Sequence, residues 1–105
     1  MGREEFEKIL DQIGLPYRYH HFETPEAVAP PFLAWICGED NIFYADGKPY
    51  FLTQGIDLEL YTDQKDFDLE KKVEAVLREH EIGWRKSEDY IETENMYEVL
   101  YEIEV

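Results

Sequence analysis

His20-His21 followed by Glu23 is the stretch whose residue types best suit metal binding or acid–base work. Two imidazoles and a carboxylate can all ligate zinc, but such a site needs three or four ligands converging on one point. Tyr17 to Phe22 reads as a short strand, and neighbours on a strand point to opposite faces, so the two histidines diverge. His80 falls on a helical pattern far along the chain. Cys37, the single cysteine, closes the apolar run Phe32-Leu33-Ala34-Trp35-Ile36-Cys37 and reads as a small core residue. Paired with His21 or His80 it is a nucleophile–base dyad in name only, because nothing orients the partners. No pair among the many carboxylates is singled out for glycosidase-type chemistry. The chain also holds no G-x-S-x-G, P-loop or Gly-rich dinucleotide turn. The expectation is a protein without catalytic residues, metal or cofactor, and not an enzyme.

Two other groups of residues suggest surfaces rather than chemistry. From Ser87 to Val105 there are seven acids and no lysine or arginine. Alternation on the last predicted strand puts Glu98, Glu102 and Glu104 on one face with Leu100, opposite Tyr97, Val99, Tyr101, Ile103 and Val105. That row either guards a sheet edge against other chains or displays acid in an assembly. Phe43, Tyr44, Tyr50 and Phe51 crowd a hairpin around Asp46-Gly47. They are either ordinary cross-strand pairs or a projecting patch that docks on a neighbouring subunit.

The elements that must carry these residues follow from the period of the apolar positions. Phe6, Ile9, Leu10 and Ile13 line a helix from about Arg3 to Ile13, which Gly14 and Pro16 end. After the Tyr17–Phe22 strand, the proline-rich segment from Glu23 to Pro31 reads as a loop. Phe32–Cys37 is long enough and apolar enough for a strand buried on both faces. Short extended pieces follow at Ile42–Ala45 and Tyr50–Thr53. From Ile56 to Thr62 the apolar residues alternate, predicting a strand with one wet face. At Leu69, Val73, Val76, Leu77 and His80 the spacing becomes helical, with Asp66 and Asp68 placed to cap a helix from about Asp68 to Glu81. Gly83 ends it. Trp84–Ile91 and Met96–Glu104 form a closing hairpin around Glu92-Thr93-Glu94-Asn95. The fold expected is one α+β domain over residues 1–105: a mainly antiparallel sheet with two helices packed on one face, in the order α-β-β-β-β-α-β-β.

The totals bound the partners. Twenty-five acids against ten lysines and arginines give a net charge of −15 over 105 residues. Such a chain repels nucleic acid, so no sequence-specific nucleic-acid binding is expected. It also repels copies of itself, so assembly must overcome that cost and depends on salt. No apolar stretch is long enough to span a membrane and no secretory pattern opens the sequence. A bacterial cytoplasmic location is expected, at least initially.

Three segments together resemble a family of small proteins from prophages and tailed phages of Gram-positive bacteria. They are the first helix ending Ile13-Gly14-Leu15-Pro16, the segment Tyr19-His20-His21-Phe22 with Pro30-Pro31-Phe32, and Leu58-Glu59-Leu60-Tyr61-Thr62-Asp63 running into Leu69-Glu70-Lys71-Lys72. Met96-Tyr97-Glu98-Val99-Leu100-Tyr101-Glu102-Ile103 fits as well. The resemblance covers nearly the whole chain, through structural rather than catalytic motifs. It implies a virion protein of the tail-terminator or head–tail completion class, with an α/β fold, assembling as a hexameric ring. Its implied partners are phage tail-tube and head-connector proteins, and its implied destination is the virion. A competing reading from charge and size is an acidic DNA mimic that inhibits a host nucleic-acid-binding enzyme.

Overall fold

The computed structural model describes residues 2–20, 28–38, 41–45, 48–53 and 55–104, with the backbone alone for 41–45 and 48–53. Helix α1 (Arg3–Asp11) is followed by strands β1 (Tyr17–Tyr19), β2 (Phe32–Cys37), β3 (Asn41–Ala45), β4 (Lys48–Thr53) and β5 (Gly55–Thr62). Helix α2 (Phe67–Glu79) and the hairpin β6 (Trp84–Ile91) and β7 (Met96–Glu104) complete the order. Five strands therefore precede α2, not four. The extra one arises because the aromatic segments β3 and β4 pair only with each other among the described residues, while β5 belongs to the main sheet.

That sheet has the order β1-β2-β5-β7-β6 and is mixed, which corrects the expectation of a mainly antiparallel one. β2, β5, β7 and β6 are mutually antiparallel, but β1 runs parallel to β2, with Tyr17 beside Leu33 and Tyr19 beside Trp35. The cause lies in chain length. Residues 20–31 form a connection long enough to carry the chain back to its starting end, as parallel neighbours require, whereas a tight turn would have reversed it.

The apolar periods read from the sequence meet in one core. Phe6, Ile9, Leu10 and Ile13 pack with Val73, Val76 and Leu77 against Leu33, Trp35, Leu58, Leu60, Val99, Tyr101 and Ile103. The strand residues in this set are cross-strand neighbours: Leu33 and Val99 flank Leu60, and Trp35 and Tyr101 flank Leu58. Both helices thus cover the same face of the sheet. β2 is buried only in its middle, with Phe32 and Ile36 half-covered and Cys37 exposed. Cys37 is accordingly not a core residue. It stands at the end of the strand, beyond the cover of α1.

Helix ends follow the capping logic, with one departure. The Asp66 side chain accepts a hydrogen bond of 3.0 Å from the Leu69 N–H, so α2 starts one residue earlier than read. Its C-terminus closes through Glu81 N–H to Arg78 C=O (3.0 Å) and Ile82 N–H to Leu77 C=O (2.9 Å), the two bonds of a Schellman turn. The left-handed position of that turn, φ +58°, is held by Glu81 and not by Gly83.

An ionic cluster locks α2 to the sheet. Glu70, only 3% exposed, receives Lys65 Nζ at 2.6 Å and Lys86 Nζ at 2.9 Å. Lys86 also meets Glu74 at 2.7 Å, Glu74 accepts from the Tyr101 hydroxyl at 2.8 Å, and Lys65 also pairs with Glu88. At i,i+4 spacing Glu74 could pair with Arg78 along the helix and would repel Glu70. Tertiary structure instead turns both carboxylates toward lysines from outside the helix.

Candidate functional site: an acidic sheet face

With the helices on one face, the other face of the main sheet is open. Its composition follows from strand alternation. β7 is an interior strand between β5 and β6, so its acid row does not protect an edge. Glu98, Glu102 and Glu104 do share a face, since Val99, Tyr101 and Ile103 are buried on the opposite side.

The register adds residues from both neighbours to this row. Tyr61 and Asp89 flank Glu98, Asp57 and Arg85 flank Glu102, and Gly55 lies beside Glu104. Glu59 faces Leu100 and stands diagonally from Glu98. Among the described residues, six carboxyl groups from β5, β6 and β7 therefore share the open face. The guanidinium of Arg85, and that of Arg18 on β1, share it as well. At one end of the strands a recess of about 940 Å³ is lined by Gly38, Gly55, Asp57, Arg85, Glu102 and Glu104, among others.

Crowding of like charge alters the acids themselves. A hydrogen bond with Glu59, then burial, then the charges of Glu59 and Asp89 push the Glu98 carboxyl up to about 7. Asp57 is also raised, first by burial and then by Glu102 and Glu59. The Tyr61 hydroxyl donates to Glu59 at 2.6 Å, and burial together with that bond moves its own ionisation upward. Carboxylates accept but do not donate, so only the protonated form of Glu98 can donate a hydrogen bond to Glu59. The face can hold and release a proton near neutrality.

The candidate residues from the sequence divide sharply. The structure joins Glu98, Glu102 and Glu104 to Asp57, Glu59 and Asp89, which the sequence reading did not single out. Their signal was present, because the wet face of β5 is Asp57, Glu59 and Tyr61, but only the register shows that it abuts the wet face of β7. For Phe43, Tyr44, Tyr50 and Phe51 the backbone alone is described: Phe43 pairs with Phe51, and Tyr44 with Pro49 after a register shift. The contacts of those side chains lie outside the described residues.

His21 and Glu23 also lie outside the described residues. His20 does not continue a strand. Its φ is +71° and its N–H bonds the Trp35 carbonyl at 2.8 Å. His80 caps α2, with Nε2 3.2 Å from the Gln12 side-chain oxygen, on the side of the molecule that carries the helices. Among the described residues, no group of three or more His, Cys, Asp and Glu is arranged to hold a metal ion, and no helix is long and apolar enough to cross a membrane.

Compared with known proteins, the chain matches no family model and no curated protein.

Proposed function

We propose that this chain is a structural protein of a phage or prophage virion, of the tail-terminator or head–tail completion type. It assembles as a hexameric ring at the end of the tail tube, beside tube and connector proteins, and performs no turnover chemistry. It is made in the bacterial cytoplasm and passes into the virion.

The observation that supports this reading is the open acidic face. Helix packing occupies one side of the sheet and leaves six carboxyl groups gathered on the other, with no positioned nucleophile beside them among the described residues. A wall of that sign suits the lining of a conduit through which DNA passes without adhering, since phosphates are repelled at every step. On this reading Glu98, Glu102 and Glu104 face the lumen, joined by Asp57 and Glu59. The aromatic hairpin β3–β4, with Phe43, Tyr44, Tyr50 and Phe51, supplies subunit contacts. Cryo-microscopy of the assembled ring tests this arrangement. Acids lining the lumen support it, and acids on the outer rim contradict it.

The gathering of six carboxyls on one face also favours a second reading, an acidic DNA mimic that blocks a host nucleic-acid-binding enzyme. A mimic needs its carboxyls spaced like phosphates along one elongated face, whereas acids here are spread over both helices, loops and strands. The tail reading is therefore preferred. Inhibition of a nuclease by stoichiometric protein, with no binding to tail tubes, would reverse that preference.

A further inference from the structure

Strand β6 forms one border of the main sheet, and among the described residues it pairs only with β7. Residues 85–90 are exposed, so its outer edge presents unpaired backbone groups to solvent. Sheet edges of this length are normally blunted by charges that meet their own kind when two copies approach. The charges of β6 are arranged differently. Reading Trp84-Arg85-Lys86-Ser87-Glu88-Asp89-Tyr90, two cations precede Ser87, two anions follow it, and an aromatic residue closes each end.

We propose that this edge is a self-association site, where two copies pair their β6 strands antiparallel about a two-fold axis at Ser87. In that register Arg85 opposes Asp89 of the second copy, Lys86 opposes Glu88, and Trp84 opposes Tyr90, each pair occurring twice. Side chains on opposed residues must lie on the same face, so registers change in steps of one full pleat. One step in either direction sets Lys86 against Lys86 or Glu88 against Glu88, which is unfavourable for directly opposed residues. Of these registers only the one at Ser87 opposes no like charges; Arg85 and Asp89 supply its new ion pairs, since Lys86 and Glu88 already have partners within each subunit.

Three features of the subunit fit this occupant. Tyr90 is 44% exposed, a large aromatic side chain at the rim, and in the pair it meets the half-buried Trp84. Arg85 forms no ion pair with the described residues, while Asp89 is crowded by Glu98 across the β6–β7 ladder. A guanidinium arriving opposite Asp89 relieves that crowding. The four charged residues of β6 sum to zero, so this border lacks the local repulsion that the −15 net charge creates elsewhere. A two-fold pair buries the same patch on both copies and closes on itself. It therefore belongs to the free subunit outside any ring, and it stands whether or not the chain is a tail protein.

Sedimentation equilibrium from micromolar to submillimolar protein tests the pairing, together with Arg85→Glu and Asp89→Lys. The wild type is expected to dimerise reversibly, and each variant to weaken the dimer by at least about tenfold. An equimolar mixture of the two variants should recover the dimer, because each then supplies the charge the other lacks. As a register readout independent of affinity, Ser87→Cys in a Cys37→Ser background should form a disulfide-linked dimer on mild oxidation. The axis brings residue 87 within the span of a disulfide. Arg85→Cys in the same background should not. A wild type that stays monomeric throughout, variants that leave the dimer unchanged, or a mixture that fails to recover it would each overturn the proposal.

Discussion

Glu59 on β5 and Glu98 on β7 stand diagonally across one strand junction, and this proximity together with burial pushes the Glu98 carboxyl up to about 7. The carboxylates around Glu98 repel a further negative charge and so favour a proton there, at the junction of two interior strands. The consequence for stability has a definite sign. Glu98 is raised from 4.5 to about 7, so the folded state binds its proton more tightly than the unfolded chain does. Its contribution is fully present below about 4.5 and is lost as pH rises through about 7. Thermal unfolding at pH 5 and pH 8 should show a higher Tm at pH 5, with Glu98 contributing ~1 kcal/mol after solvent screening is allowed for. Glu98→Gln should raise the Tm at pH 8 and flatten this slope. An unchanged slope would contradict the raised Glu98 value.

Glu70 and Glu74 titrate in the opposite sense. Burial pushes both carboxyls upward, but the hydrogen bonds and charges of Lys65 and Lys86 at Glu70, and of Lys86 and Tyr101 at Glu74, outweigh it and lower both. Their stabilisation is present above the ordinary carboxylate range and is lost as pH falls through their lowered folded values. Lys86→Ala leaves both acids short of a cation and should cost about 2 kcal/mol, below the usual range for a fully buried pair because Lys86 is partly solvated. Arg3→Ala breaks the exposed pair with Glu7 and should cost under about 0.5 kcal/mol. Urea unfolding of the two variants measures the contrast, and equal losses would contradict it.

Glu81 holds a left-handed backbone position at the end of α2, where a side chain is strained and a negative charge faces the negative end of the helix dipole. Glu81→Gly should stabilise the fold by about 1 kcal/mol, a rise of several degrees in Tm. Gly83→Ala should leave it nearly unchanged, since a Cβ there meets nothing within 4 Å. Calorimetry on both variants separates the left-handed position at residue 81 from Gly83, which the sequence reading had placed at the helix end.

Much of this architecture was legible because local period and burial agree. Phe6, Ile9, Leu10 and Ile13 are all buried as the helical spacing required, and the β6–β7 hairpin runs between the residues its turn signals marked. The errors share a physical origin in long-range pairing. Nothing local to Tyr17–Tyr19 specifies a parallel neighbour, and nothing local to Phe32–Cys37 reveals that Cys37 lies beyond the covering helix. The same holds for the candidate site. The acids of β7 were visible as a row, but their meaning changed once β7 proved to be an interior strand, with Asp57 and Glu59 beside it on β5. The cluster of Lys65, Glu70, Lys86 and Glu74 was hidden for the same reason, because its members come from the β5–α2 connection, α2 and β6.

If the acidic face lines a ring at a tail end, as proposed, the protein binds tail tubes, and that binding is the most direct thing to measure. Purified protein would be mixed with tail tubes from a tailed phage of Gram-positive bacteria and followed by co-sedimentation and electron microscopy. The expected result is ring-shaped density confined to one end of each tube, with tubes of fixed length once the protein is bound. Protein that stays in the supernatant at every concentration tested, or that decorates the tube wall without preference for an end, would contradict it.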